Sequence, residues 1–278
     1  MDESTNSDII ANILVFDSGV GGLSIVGHIR KRLPSSDITY LADNRFFPYG
    51  LLSEQELTDR VSSLLTRVLS EYHIDIIVIA CNTASTLVLP ILRATLDIPV
   101  VGVVPAIKPA VKLSKNKIIG LLATPGTIRR EYTDELIRDF AQECQVVRVG
   151  SNKLVEVVEQ NMLGEQFDQN IYREILTPFT DHPRWAEMDT IVLACTHFPL
   201  AKSKLSLAAP EIKNWVDSGS AIAQRVTALL QKGASRRSHL KLDYPSNIVL
   251  LTDLSKNTGD CTQNFKRYGF DCVNLFEP

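Results

Sequence analysis

The sequence predicts an α/β protein built on mostly parallel sheets, and three observations predict it. Apolar, strand-like runs alternate with segments of helical periodicity along most of the 278 residues, as parallel strands joined by crossover helices do. The first run ends in a glycine-rich turn, Asp17-Ser18-Gly19-Val20-Gly21-Gly22, the usual opening of a βα unit. Two further runs, at 74–80 and 190–194, each deliver a cysteine into a short polar sequence, Cys81-Asn82-Thr83 and Cys195-Thr196-His197.

Taken in order, residues 9–16 read as a strand and 23–33 as a helix. Leu57, Val61, Leu64, Leu65, Val68 and Leu69 then fall at helical spacing ahead of the strand at 74–80. After Cys81 a helix carrying Leu87, Leu92 and Leu96 leads to an apolar stretch closed by Pro105, where a domain break is expected. A strand at 117–123 ends in Thr124-Pro125-Gly126-Thr127, and a helix at 129–143 and a short strand at 145–150 follow. Helices at 154–163 and 166–180 precede the strand at 190–194. The tail adds a helix at 220–231, capped by Asp217 or Ser218, and a strand at 247–252.

Composition narrows the function classes. Hydrophobic residues at 45% and charged residues at 22% describe a globular chain rather than a disordered one, with the polar start at 1–7 the exception. A formal net charge of −3 gives no footprint for nucleic acid, and the basic stretch at 232–241 reads as a solvated loop. No run approaches the roughly 18 apolar residues of a membrane span, and the start lacks the basic-then-apolar order of a secretory signal. A cytoplasmic protein with no membrane partner is expected.

The five cysteines, at 81, 144, 195, 261 and 272, are odd in number and include no CxxC pair, so free thiols are expected. The five histidines, at 28, 73, 182, 197 and 239, show no HExxH or paired Cys/His spacing, so no metal is expected. No cofactor is expected either.

In open parallel sheets, ligands bind beyond the carboxyl ends of strands. Asp17, Cys81, Thr124 and Cys195 all fall at such ends, and two similar domains facing each other would bring them to one cleft. A thiol, with an ordinary pKa of about 8.5, can be pushed either way by its neighbours. One cysteine held as thiolate and the other as thiol would form a base and acid pair, with His197 exchanging a proton with Cys195 and Asp17 as the counterpart near Cys81. Cys144, Cys261 and Cys272 are expected to be inert packing residues. The glycine turn could offer backbone N–H groups to an anion such as a carboxylate, although it matches neither GxGxxG nor a Walker loop.

At these residues the chain resembles the glutamate racemase family. The matching motifs are FDSGVGGLS at 16–24, PYG at 48–50, ACNTAS at 80–85, ACTHFPL at 194–200 and VDSG at 216–219, spread over nearly the whole chain. The resemblance implies two similar α/β domains with the active site in the cleft between them, residues 1–104 plus 218–278 forming the first and 105–217 the second. It implies cofactor-independent interconversion of L- and D-glutamate, an isomerase reaction that supplies D-glutamate for peptidoglycan. Cys81 and Cys195 would be the acid/base pair, the first deprotonating D-glutamate and the second L-glutamate, assisted by Asp17 and His197. Ser18, Asn82, Thr83 and Thr196, with Asp17 and His197, would hold the amino acid's polar groups, and Tyr49 and Gly50 would lie near its side-chain carboxylate.

Thr124, Thr127 and Glu159 resemble family positions of lesser rank. The resemblance also makes a homodimer an expectation, together with regulation by a cell-wall nucleotide precursor. Three alternatives stand beside this reading: a racemase of another acidic amino acid such as aspartate, a cysteine hydrolase using Cys195 and His197, and a non-enzymatic ligand-binding protein.

Overall fold

A computed structural model describes residues 6, 8–233, 246–255 and 261–277. Most of the polar start and of the basic stretch at 232–241 lies outside them. Among the described residues the strands are β1 (Asn12–Asp17), β2 (Asp37–Ala42), β3 (Ile76–Ile79), β4 (Val100–Gly102), β5 (Ile118–Ala123), β6 (Gln145–Gly150), β7 (Thr190–Ala194), β8 (Asn214–Val216), β9 (Ile248–Leu251) and β10 (Cys272–Leu275). The helices are α1 (Leu23–Arg32), α2 (Glu54–Glu71), α3 (Asn82–Thr95), α4 (Ile107–Leu113), α5 (Pro125–Ile128), α6 (Glu131–Phe140), α7 (Lys153–Met162), α8 (Gln169–Thr180), α9 (Lys202–Ala208), α10 (Gly219–Gly233) and α11 (Cys261–Arg267). None is long and apolar enough to cross a membrane.

The chain divides into two compact units, residues 1–103 with 219–278, and residues 104–218. The first carries a six-stranded sheet in the order β10-β9-β2-β1-β3-β4, and the second a four-stranded sheet in the order β6-β5-β7-β8. Every pairing in both is parallel. In each unit the strand order runs outward both ways from the unit's first strand, so each has a switch point, between β1 and β3 and between β5 and β7. Parallel strands are covered on both faces, and β1, β3, β5 and β7 are buried throughout except for a half-buried Asn12.

The periodicity read along α2 is realised in packing. Leu57, Val61, Leu64, Leu65 and Val68 are buried and join Ile77 and Ile79 of β3 and Val88 and Leu92 of α3 in one cluster. Burying such a side chain is worth about 1.5–3 kcal/mol. Ser53 caps α2 by accepting from the Glu56 N–H, and the Glu56 carboxylate accepts from the Ser53 N–H in return. That capping box fixes where α2 begins, and so which way its first turns face.

Several elements depart from the sequence reading. The helix expected at 129–143 is the shorter α6, Glu131–Phe140, and an unread single turn, α5, capped by Thr124, precedes it. Strand β2 was not anticipated: Asp37 and Thr39 break its apolar run, and Tyr40 is fully buried with its hydroxyl donated to the Gly19 carbonyl at 2.5 Å. Helices α4 and α9, and strand β10 with its half-exposed pattern, were also unread. Ser218 donates to the Val104 carbonyl at 2.5 Å, which ties the end of the second unit to its start.

Candidate active site

The residues singled out in the sequence gather at the two switch points, one set in each unit. In the first unit β1 ends in Asp17, and Cys81 follows β3 and stands at the N-cap of α3. Unpaired N–H groups and the helix dipole favour negative charge at such a place. Asp17 is fully buried, and its Oδ1 accepts from the N–H of Ser18 at 2.7 Å and of Gly19 at 3.3 Å. Ser18 Oγ lies 3.4 Å from that oxygen and 3.9 Å from Cys81 Sγ. A hydroxyl thus stands within reach of both carboxylate and thiol.

The glycine turn is explained by close packing. A Cβ at Gly22 would lie 2.9 Å from Tyr40 Cε2 and 3.0 Å from Asp17 Cβ, so only glycine lets α1 start this near the strand ends. Several N–H groups at and just after the turn are already engaged: those of Ser18 and Gly19 meet Asp17, and those of Leu23, Ser24 and Ile25 at the start of α1 meet the carbonyls of Val20, Gly21 and Gly22. The anion cradle considered from sequence is therefore filled at these positions by the chain's own groups.

Asn82 and Thr83 open α3 and are buried. No hydrogen-bond partner within the described residues meets Asn82 Oδ1, although that atom is buried. An orphaned buried amide is costly unless a ligand completes it. Tyr49 and Gly50 sit in a 3₁₀ turn, Tyr49–Leu51, with Tyr49 buried and Gly50 exposed. Burial and the adjacent Asp43 carboxylate push the Tyr49 phenol well above its ordinary value, so it stays protonated.

In the second unit, Thr124 follows β5 and Cys195 follows β7. Thr124 Oγ1 accepts from the Thr127 N–H at 3.3 Å and shares a hydrogen bond of 3.0 Å with the Thr127 hydroxyl. Cys195, Thr196 and His197 are all buried. His197 Nδ1 lies 3.6 Å from Cys195 Sγ, and its Nε2 lies 2.5 Å from Glu159 Oε1 on α7. Glu159, of lesser rank in the sequence, thus becomes part of the site. Its signal was weak because a glutamate on a helix is ordinary, and only α7 packing brings it to His197.

Burial alone would discharge the His197 ring. Its hydrogen bonds to Cys195 and Glu159 outweigh that and hold the imidazole well above its ordinary value of 6.5. A raised value means the ring's contribution to stability is complete below 6.5 and is lost as pH rises through the higher folded value. The melting temperature of the protein relative to a His197→Gln variant is therefore expected to be highest below 6.5 and to shrink toward alkaline pH. A difference independent of pH would show that the folded ring titrates as the unfolded one does, and a difference that grows with pH would show a ring held neutral.

Sequence reasoning missed Asp43, which accepts from the Tyr49 hydroxyl, and Arg60 and Thr252, which donate to Asp43. A signal existed, since Asp43 follows β2 as Asp17 closes β1, but it required recognising β2. Among the described residues, Cys144 and Cys272 are free and half-buried, and no cluster of three His, Cys, Asp or Glu side chains is arranged to hold a metal.

Two like-wound parallel sheets, each presenting a cysteine with a hydrogen-bonded polar neighbour at its switch point, define the class of the Asp/Glu/hydantoin racemases, whose family model matches residues 23–226. Among curated relatives, the glutamate racemase of a Shewanella species is 50% identical over 238 residues, 86% of each chain. That of Vibrio vulnificus is 50% identical over 230 residues, 83% of this chain and 84% of its own. The crystal structure of Escherichia coli glutamate racemase, in complex with L-glutamate and the activator UDP-MurNAc-Ala, superposes with a TM-score of 0.89 at 43% identity, covering 96% of this chain and 98% of that one. The chain belongs to the glutamate racemase family.

Proposed function

We propose that this protein interconverts L- and D-glutamate with two thiols, one removing the α-proton while the other delivers a proton to the opposite face, supplying D-glutamate for peptidoglycan in the cytoplasm. The observation that carries this reading is the pairing of each thiol with its own proton-handling neighbours: Ser18 and Asp17 for Cys81, His197 and Glu159 for Cys195.

Starting from L-glutamate, Cys195 as thiolate takes the α-proton while Cys81 as thiol donates one to the opposite face. The product leaves Cys195 protonated and Cys81 as thiolate, the state that accepts D-glutamate. The His197 imidazolium, anchored by Glu159, stabilises the Cys195 thiolate before the transfer. At Cys81 the Ser18 hydroxyl stands within reach of the sulfur and of Asp17, and the Asp17 carboxylate, being an anion, serves as a proton acceptor through that hydroxyl rather than as a partner of the thiolate. The buried Asn82 amide is suited to the substrate's polar groups, with Thr83 and Thr196 beside the two cysteines.

An amino-acid α-C–H is a very weak acid, and general acid–base catalysis contributes about 10²- to 10⁴-fold. The remaining demand falls on preoriented donors in surroundings that exclude water. Cys81, Asn82, Thr83, Cys195, Thr196 and His197 are all buried, which favours such strengthening.

Each glutamate enantiomer incubated with the protein in deuterium oxide, with no cofactor added, is expected to yield the opposite enantiomer carrying α-deuterium. Failure of that label to appear would remove the racemase reading. The Cys195, His197 and Glu159 series also suits a hydrolase nucleophile, base and orienting acid, which would give a covalent acyl intermediate and no label.

The activator held by the E. coli relative leads us to propose that a cell-wall nucleotide precursor regulates this chain too. Rates measured with and without UDP-MurNAc-Ala test this. A homodimer is proposed from the family resemblance, and sedimentation at several concentrations decides it.

A further inference from the structure

The turn that carries Tyr49 and Gly50 is held from behind by residues outside the proton-transfer chemistry. Asp43 is fully buried, and its carboxylate accepts four hydrogen bonds. Arg60 of α2 donates through Nε to Oδ2 at 2.9 Å and through Nη2 to Oδ1 at 2.8 Å. The Tyr49 hydroxyl donates to Oδ2 at 2.7 Å, and Thr252, just past β9, donates to Oδ1 at 2.7 Å. The Phe46 ring covers the guanidinium, with Arg60 Cζ 4.3 Å from its centroid.

The two-pronged contact fixes the plane of the carboxylate, and the carboxylate fixes the phenol. With its proton committed to Asp43, the phenol cannot donate to a ligand, so its part is to set the position of the turn. The Tyr49 ring also packs 6.2 Å from Phe16, the residue before Asp17, and shares a buried cluster with Cys81. A shift of Tyr49 would therefore be felt beside the thiol.

We propose that Arg60 and Asp43 are positioning residues for substrate selection: Arg60 orients Asp43, Asp43 holds Tyr49, and Tyr49 fixes the turn that receives the distal carboxylate of a dicarboxylic amino acid. This rests on the glutamate reading above and on the family resemblance, which sets Tyr49 and Gly50 near the side-chain carboxylate. A displaced seat weakens the hold on the distal carboxylate in ground state and transition state alike, a loss that appears in KM rather than in kcat.

The test compares the intact enzyme with Arg60→Lys, Tyr49→Phe and the double variant. Initial rates are measured with both glutamate enantiomers, and inhibition with glutarate, a dicarboxylate without a stereocentre. Arg60→Lys keeps the charge and loses the planar fork; Tyr49→Phe keeps the ring and loses the hydroxyl. Each is expected to raise KM and the glutarate inhibition constant about 10-fold, the scale of one charge-assisted hydrogen bond, with kcat falling far less. The double variant is expected to be no worse than the worse single one, because both cut one chain of contacts.

Effects that multiply in the double variant would overturn the proposal. So would a fall in kcat at unchanged KM and unchanged glutarate inhibition. Thermal melts accompany the kinetics, and recovery of the wild-type KM on cooling a destabilised variant would also overturn it. A wild-type enzyme that racemises glutamate while the variants keep its KM removes this proposal alone. A wild type that does not racemise glutamate removes the functional reading and this proposal with it.

Discussion

Serine in place of either Cys81 or Cys195 is expected to lower glutamate racemisation by at least about 10²- to 10⁴-fold, the range that general acid–base groups supply. A serine hydroxyl is close in size to a thiol but far less acidic, so the exchange removes proton transfer and leaves packing nearly unchanged. The two enantiomers have equal free energy in water, so kcat/KM must fall equally in both directions whichever thiol is lost. The asymmetry emerges in isotope exchange. Cys81→Ser retains Cys195 and is expected to wash deuterium into L-glutamate without inverting it; Cys195→Ser should do the same to D-glutamate. Undiminished racemisation by either variant would refute the paired thiols, and exchange on the opposite enantiomers would reverse their assignment.

The second large effect is on stability. Asp43→Ala is expected to cost about 3–5 kcal/mol, as removal of one member of a buried ion pair does. It leaves the Arg60 guanidinium, only 14% exposed, without its carboxylate. It also leaves the Tyr49 and Thr252 hydroxyls without their acceptor. That is a large share of the roughly 5–15 kcal/mol by which domains of ordinary size are stable. Urea unfolding measures it, with Asp59→Ala on the exposed face of α2 as a control expected to lie within about 0.5 kcal/mol of wild type. A loss at Asp43 no larger than the control's would show that Tyr49 is held by packing alone.

What was legible in the sequence follows from how locally each feature is encoded. Strands β6 and β7 match the reading to the residue, because an apolar or alternating run bounded by turns is a local signal. The α2 face was legible for the same reason, and Leu57, Val61, Leu64, Leu65 and Val68 are all buried. Strand β2 was not, because Tyr40 tolerates burial only through a hydrogen bond to Gly19, a partner that periodicity cannot reveal. Pairing of β9 with β2, Thr39 beside Ile248, likewise leaves no mark on either segment.

The candidate site divides along the same line. The strand-end residues Asp17, Cys81, Thr124 and Cys195 announce themselves through the runs they terminate. The contacts of Glu159 with His197 and of Asp43 with Arg60 depend on helices packed across the fold, and helix-borne charges look alike until they are packed.

The return of β9 and β10 to the first sheet has a consequence for synthesis. Chains usually fold from the N-terminal end as they leave the ribosome. Here β1 to β4 emerge first but wait for two strands, and for Thr252, that are made only after residues 104–218 are complete. The later-made middle segment therefore has all its strands available first, and the nascent protein should gain protease resistance there before its leading segment does.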